Sequence, residues 1–293
     1  MKEEKKMIIK YFHKPVLTKK SVNNLLTDKN GIYIDATFGG GGHSSYMLKK
    51  LNINAKLIAI DQDKDAIKSN LIKDPRLHLF HNNFVNIKDI LNKKIIGKIS
   101  GILIDLGCSF FQLSNPKRGF SYKLHCILDM RMNQDLPYSA QNVVNESSKQ
   151  KLYKIFHEYG DFKNAIKIAD IIIKKRKDKK IITNFELMNL FLIKGNFKKR
   201  KRFFSRLFQS IRIEVNNEIN ILKYFLLKSY EILSSKGRIA VISYHSTEDR
   251  IIKHFFKNLS FKIINKKVFK PSKKEIENNS KSRSAKLRIA EKI

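Results

Sequence analysis

Four consecutive glycines, Gly39 to Gly42, follow Asp35-Ala-Thr-Phe and lead into His43 and Ser44. Glycine has no Cβ and adopts positive φ readily, so such a turn lets backbone N–H groups approach a ligand closely. Ile32-Tyr33-Ile34 before the turn reads as a short buried strand, and Ser45 to Leu51 after it as the first turns of a helix. Leu57-Ile-Ala-Ile60 is a second apolar strand, and it ends in Asp61. A carboxylate at the tip of the second strand is placed to accept hydrogen bonds from ribose hydroxyls. A glycine turn alone only lets a helix pack tightly; with Asp61 in register it indicates a nucleoside-bearing cofactor.

Further polar groups fall at the same kind of position. Asp105-Leu-Gly-Cys-Ser109 ends a fourth apolar strand, at the edge where reacting groups of doubly wound sheets gather. Asp105 could bind the cofactor, accept a hydrogen bond from a substrate amino group, or cap the next helix. Cys108 has the chemistry of a nucleophile for pyrimidine C5, but lacks an adjacent proline or a second cysteine and reads as a small filler. His245-Ser246-Thr-Glu-Asp-Arg250 closes a fifth strand. The spacing of Ser246 and Asp249 is that of a capping box, which leaves His245 and Arg250 for substrate. Asp105 and His245 are therefore the candidate catalytic groups. Arg118 and Arg131 offer forked donors for phosphate or carboxylate, or hold two parts of the chain together.

Around these residues strand and helix alternate four times in about a hundred residues, which predicts a parallel sheet covered on both faces. The helices are expected at 18–26, 45–51, 65–72 and 87–91, and the third strand at 76–80. From roughly 115 to 212 there is no convincing strand. Leu152, Ile155, Phe156 and Tyr159 form one helical stripe, and Ala165, Ile168, Ala169 and Ile172 another. Residues 115–212 thus read as an inserted helical subdomain, with 1–114 and 213–293 forming the cofactor domain. A single amphipathic helix is expected from 204 to 233, stopped by Lys236-Gly237. The strand 238–243, a helix from Ser246, and two closing strands at 261–269 and 285–289 around a polar loop complete the pattern.

Sixty basic against 26 acidic residues give a net charge of +34. Such a balance attracts polyanions, nucleic acid first among them. Lysine outnumbers arginine 48 to 12, as coding drift toward A and T would also produce. The runs Lys174–Lys180 and Lys198–Arg202 are candidate nucleic-acid contacts, and the first reads equally as a solvated face. No apolar run approaches a membrane span, and Met-Lys-Glu-Glu-Lys-Lys does not begin a signal peptide. Two cysteines make neither a disulfide framework nor a metal-ligand spacing, so a cytoplasmic protein without a metal is expected.

Along almost the full chain the sequence resembles the RsmH (MraW) family of bacterial methyltransferases. The matching residues are His13-x-Pro15-Val-Leu17, Asp35-Ala-Thr-x-Gly39-x-Gly41-Gly42-His43-Ser44, Asp105-Leu-Gly107, Gln112-Leu113, Arg118-Gly-Phe-Ser121 and Leu128-Asp-Met-Arg-Met132. They continue with Phe208-Gln209, Arg212-Ile213, Val215-Asn216, Glu218, His245-Ser246, Glu248-Asp-Arg250 and Arg283-Ser-Ala-Lys-Leu-Arg288. The resemblance implies a class I, Rossmann-like methyltransferase sheet with an inserted all-helical domain, and S-adenosylmethionine as cofactor. It implies methylation of the exocyclic N4 of a cytidine in the decoding region of 16S rRNA, with the small ribosomal subunit as partner. Carried onto matching positions, the cofactor contacts would be Gly41, Gly42, His43, Asp61, Phe84, Asp105 and Gln112. The chain departs from the family at Cys108-Ser-Phe-Phe111, where Val-Ser-Ser-Pro is usual, and at Tyr244, where phenylalanine is usual. Two other readings compete. A nicotinamide oxidoreductase would also use the glycine turn and Asp61, and an inactive RNA-binding assembly factor would also carry the charge.

Overall fold

The computed structural model describes residues 15–293, so His13 of the first matching motif lies outside the described residues. The chain divides into two compact units, one formed by residues up to 109 together with Asn220–Ile293, the other by Phe110–Ile219.

The first unit holds a seven-stranded sheet of order β3-β2-β1-β4-β5-β7-β6. Its strands are β1 Ile32–Asp35, β2 Lys56–Asp61, β3 Leu77–His81, β4 Ile99–Asp105, β5 Leu233–Ser243, β6 Phe261–Ile263 and β7 Lys286–Lys292. β1 to β5 are parallel, and β7 runs antiparallel between β5 and β6. That order, with β4 central and one reversed strand, agrees with the class I methyltransferase sheet that the resemblance implies. The central segments Tyr33–Ile34, Leu57–Ile60, Ile102–Ile104 and Ile239–Ile242 are apolar and buried because both faces of the sheet are covered. Alternation assigns the faces. Ile34, Ile58, Ile102, Ile104 and Val241 pack with Phe225, Leu226, Ile252 and Phe256. Tyr33, Leu57, Leu103, Ala240 and Ile242 pack with Val22, Leu25, Met47 and Leu287 on the other side.

The second unit contains no named strand, as expected, and its helices include Lys149–Lys154, Ala165–Asp178 and Phe197–Val215. Both predicted stripes face inward: Leu152, Ile155, Phe156, Ala165, Ile168, Ala169 and Ile172 are buried, and Tyr159 is half-buried.

Five sequence expectations are corrected. The helix expected over 204–233 is two helices, Phe197–Val215 and Glu218–Ile232. Asn216 caps the first while its side chain accepts from Met132 N–H and donates to the carbonyl of Met130, and Asn217 takes φ +49°. Asparagine is among the few residues that adopt this left-handed conformation at little cost. Gly237 does not stop a helix, for β5 already begins at Leu233. It is glycine because a Cβ there would lie 2.8 Å from the carbonyl oxygen of Ile99. The strand expected at 261–269 is only Phe261–Ile263, with one further bridge from Phe269 to Leu287. The polar loop after it contains a helix, Lys273–Asn278, capped by Ser272. The fifth correction concerns His245 and is given below. No helix among the described residues is long and apolar enough to cross a membrane.

Candidate functional site

β1, β2 and β4 each end in aspartate: Asp35, Asp61 and Asp105. In the register, Asp35 pairs with Ala59 and Leu103, so Asp61 and Asp105 lie two residues further along on either side. A period of two places all three on one face, at the carboxyl edge of the sheet.

Asp35 is fully buried; Ser44 Oγ donates to its Oδ2 at 2.6 Å and the Thr37 amide to its Oδ1 at 3.2 Å. Burial dominates and pushes its carboxyl up to about 7. Asp61 accepts from the amides of Gly39 (2.7 Å) and Asp63 (2.9 Å), and burial raises it to about 6. Asp105 accepts from the Tyr244 hydroxyl at 2.9 Å, and its amide donates to Thr37 Oγ1 at 2.7 Å. Burial, reinforced by Asp35 and Glu248, raises it to about 7. Among the described residues no lysine or arginine pairs with any of the three.

The glycine turn is built around these acids. Gly39 and Gly41 adopt φ of +53° and +72°. The Gly39 N–H is held by Asp61, so this donor braces the turn. A Cβ at Gly39 would meet nothing within 4 Å, which marks open space on that side of the turn. A Cβ at Gly42 would meet Pro15 Cγ at 2.7 Å, so here glycine admits the N-terminal segment. His43 follows, buried, with Nε2 3.1 Å from the carbonyl oxygen of Val16 and Nδ1 3.9 Å from Asp105 Oδ2. Gly41, Gly42, His43, Asp61 and Asp105 are thus brought to one edge. Phe84 lies just beyond β3, half-buried, its ring edge-on to Phe225 at 4.9 Å. Gln112 belongs to the second unit, buried in helix Phe110–Ser114.

His245 is the N-cap of helix Ser246–Asn258, one residue before the position expected for the cap. Its Nδ1 accepts from the Glu248 amide, while Glu248 Oε2 accepts from the amides of Tyr244 and His245. Its Nε2 lies 3.0 Å from Glu248 Oε1 without the alignment of a hydrogen bond. Asp249, expected in the cap, instead binds Lys286 and Arg288 of β7. Tyr244 and Asp35 carry contacts that residue type alone did not indicate. The only sequence signals were the hydroxyl at a position where the family has phenylalanine and the place of Asp35 beside the glycines.

In the second unit both forked arginines are engaged internally. Arg131 grips the Asp129 carboxylate through Nε and Nη2, and buried Arg118 donates to the carbonyls of Arg131 and Met132. The run Lys198–Arg202 is exposed at the start of helix Phe197–Val215, where there is no acidic residue in the first turn. Cations at a helix N-terminus oppose its dipole, so their placement does not serve the helix itself. Lys174–Lys180 stands at a helix C-terminus, where cations are favoured. Arg176 there donates to the Val144 carbonyl, and Lys179 pairs with Glu186.

A sequence model of the MraW methylase family matches residues 10–293. The ribosomal RNA small subunit methyltransferase H of Karelsulcia muelleri is 44% identical over 297 residues, 96% of this chain and 98% of that protein. The protein of the same name from Christiangramia forsetii is 44% identical over 306 residues, 98% of this chain and all of the relative. That from Caldicellulosiruptor saccharolyticus is also 44% identical, over 97% of this chain.

Proposed function

The chain belongs to the MraW methylase family, and from that premise we propose that it methylates the exocyclic N4 of a cytidine in the decoding region of 16S rRNA, with S-adenosylmethionine as methyl donor. The observation that carries the cofactor reading is the set of three carboxyls on adjoining strands with no lysine or arginine partner among the described residues. S-adenosylmethionine carries positive charge on its sulfonium and amino groups, which such an edge favours. A nicotinamide dinucleotide brings a pyrophosphate, which the same carboxyls repel.

Asp61 would receive the ribose hydroxyls, Gly41 and Gly42 the close approach of the ligand, and Phe84 an aromatic face. Asp105 and His43 lie toward β4, where the amino-acid end would reach. When bound, the cofactor supplies an electrophilic methyl group.

The chain's own part is positioning and proton handling. An aryl amine is a poor nucleophile because its lone pair is delocalised into the ring. Acceptors that hold its hydrogens localise that pair, and alignment with the methyl group then supplies most of the acceleration. Asp105 is an acceptor of this kind and lies at the edge the base must reach after leaving its stack. Residues 115–212 serve as the RNA-holding insertion, with Lys198–Arg202 on the phosphates. The protein acts on the small ribosomal subunit in the cytoplasm.

Incubation with undermethylated small subunits and labelled S-adenosylmethionine, followed by mapping of the modified nucleotide, tests this. One N4-methylated cytidine is expected, and label on a ring carbon or on another nucleotide would overturn the assignment. Thermal protection by S-adenosylmethionine but not by NAD separates the two cofactor readings.

A further inference from the structure

At the β4–β5 edge, Tyr244 follows the last residue of β5 and Asp105 is the last of β4, with Asp105 paired in register to Ile242. The Tyr244 ring is packed against the apolar cluster that includes Ile242 and Leu287, so its orientation is fixed by the core. Its hydroxyl reaches Asp105 Oδ1 at 2.9 Å, while Asp105 Oδ2 faces His43 Nδ1 at 3.9 Å. The two oxygens of one carboxyl therefore have different surroundings. Neighbouring strands lie about 4.8 Å apart. A ligand with its ribose at Asp61 on β2 that crosses the β1 turn arrives at β4 roughly 10 Å further on. The amino-acid end of S-adenosylmethionine, with its ammonium group, lies at that kind of distance from the ribose.

We propose that Tyr244 is a positioning residue of the cofactor site, whose hydroxyl holds Asp105 as a carboxylate with Oδ2 turned to the cofactor's ammonium group. This rests on the reading of Asp105 as a cofactor contact and goes beyond it by assigning what sets the state of that carboxyl. The titratable groups bearing on Asp105 are Asp35 on β1, His43 in helix Gly42–Leu48, Glu248 in helix Ser246–Asn258, and Tyr244 itself, with Cys108 bearing on Tyr244. Burial and the charges of Asp35 and Glu248 oppose ionisation of Asp105, whereas the Tyr244 hydrogen bond favours it. Burial and Asp105 together raise the Tyr244 hydroxyl well above its ordinary value, so it is the donor throughout the neutral range. Asp105 gains its charge as pH rises through about 7, and affinity for a cationic group strengthens in the same direction. Without the hydroxyl the transition moves to higher pH.

The test is calorimetric titration of S-adenosylhomocysteine, which keeps the ribose and the ammonium group, from pH 6 to 8.5. Wild type, Tyr244→Phe and Asp105→Asn are compared, so that titration of the ligand itself is common to all three. Phenylalanine keeps the packed ring and removes only the hydroxyl. The expected Tyr244→Phe profile is displaced upward by about one pH unit, which is about fivefold weaker binding at pH 7 and convergence to within about twofold at pH 8.5. The Asp105→Asn profile is expected to lose the pH-dependent strengthening shared by the other two. A Tyr244→Phe profile parallel to wild type, whether offset or superimposed, overturns the proposal, because lost packing alone weakens binding equally at every pH. An Asp105→Asn protein that keeps the wild-type profile removes Asp105 from the cofactor site, and the proposal falls with that reading.

Discussion

The backbone N–H of Leu17 donates to Glu275 Oε1 at 2.6 Å, joining residues 258 positions apart in the chain. Leu17 has φ +56°, and the carbonyl of its neighbour Val16 lies 3.1 Å from His43 Nε2. Glu275 therefore holds in place the segment that orients His43 beside the glycine turn. Glu275→Ala should speed hydrogen exchange at the Leu17 amide, lower stability by about 1 kcal/mol, and weaken cofactor binding. Unchanged protection at Leu17 would show that this contact does not order the segment.

Asp61→Ala removes both the proposed ribose acceptor and the brace on Gly39 N–H. Cofactor affinity should fall by about 1.5–3 kcal/mol, roughly tenfold to a hundredfold. Calorimetry returning the wild-type affinity would sink the placement of the ribose.

Cys108 lies half-exposed in the loop after β4 and forms no disulfide. Methylation of an exocyclic amine needs no thiolate, so Cys108→Ser should keep substantial activity. A variant that binds cofactor yet transfers no methyl group would reopen a covalent C5 mechanism.

Fully buried Asp35 has its carboxyl raised from 3.8 to about 7. Its folded value lies above its unfolded one, so the folded state holds more protons between these limits. That contribution to stability is complete below pH 4 and is lost as pH rises through 7. The ligand-free protein should therefore melt at a higher temperature at pH 5 than at pH 8, and Asp35→Asn should flatten the difference. Asp61 and Asp105 shift in the same direction but line the open edge, where solvent softens the effect. A melting temperature that rises from pH 5 to pH 8 in the wild type would contradict this account.

Replacing Lys198–Arg202 with glutamine tests the RNA surface. If about three phosphates are neutralised, the slope of log K against log[salt] should flatten by about two to three units. Cofactor affinity should change little, because the proposed contacts His43, Asp61 and Asp105 belong to the other unit. Parallel slopes for the two proteins would make the run a solvated face.

The parallel core and its acidic tips were legible because β1, β2 and β4 are apolar runs closed by aspartate, and burial on both faces demands the apolar run. The helical stripes from Leu152 to Ile172 were legible for the same reason at a period of 3.6. What escaped the sequence depends on partners distant in the chain. Asn216 ends a helix by bonding Met130 and Met132, and Gly237 exists to let the Ile99 carbonyl approach. Asp249 has the spacing of a cap, yet Lys286 and Arg288 claim it, and the cap passes to His245. Local spacing cannot rank such competitors. At the site, Asp61 and Asp105 were legible from their positions at strand ends. The Tyr244 contact was not, since it depends on the register of β4 against β5.

The place of β7 between β5 and β6 bears on how the protein is made. β4 ends at Asp105, its neighbour β5 begins only at Leu233, and β7 follows at Lys286. During synthesis the second unit, continuous in sequence, emerges whole while β4 still presents an unpaired edge. β7, after the other six in chain order, then enters the interior of the sheet rather than adding to its margin. Each nascent chain thus carries an open, apolar edge for the time needed to make over a hundred residues. Such edges recruit other strands, so its yield in the cell should depend on translation speed and on holdase chaperones more than on the stability of the finished fold.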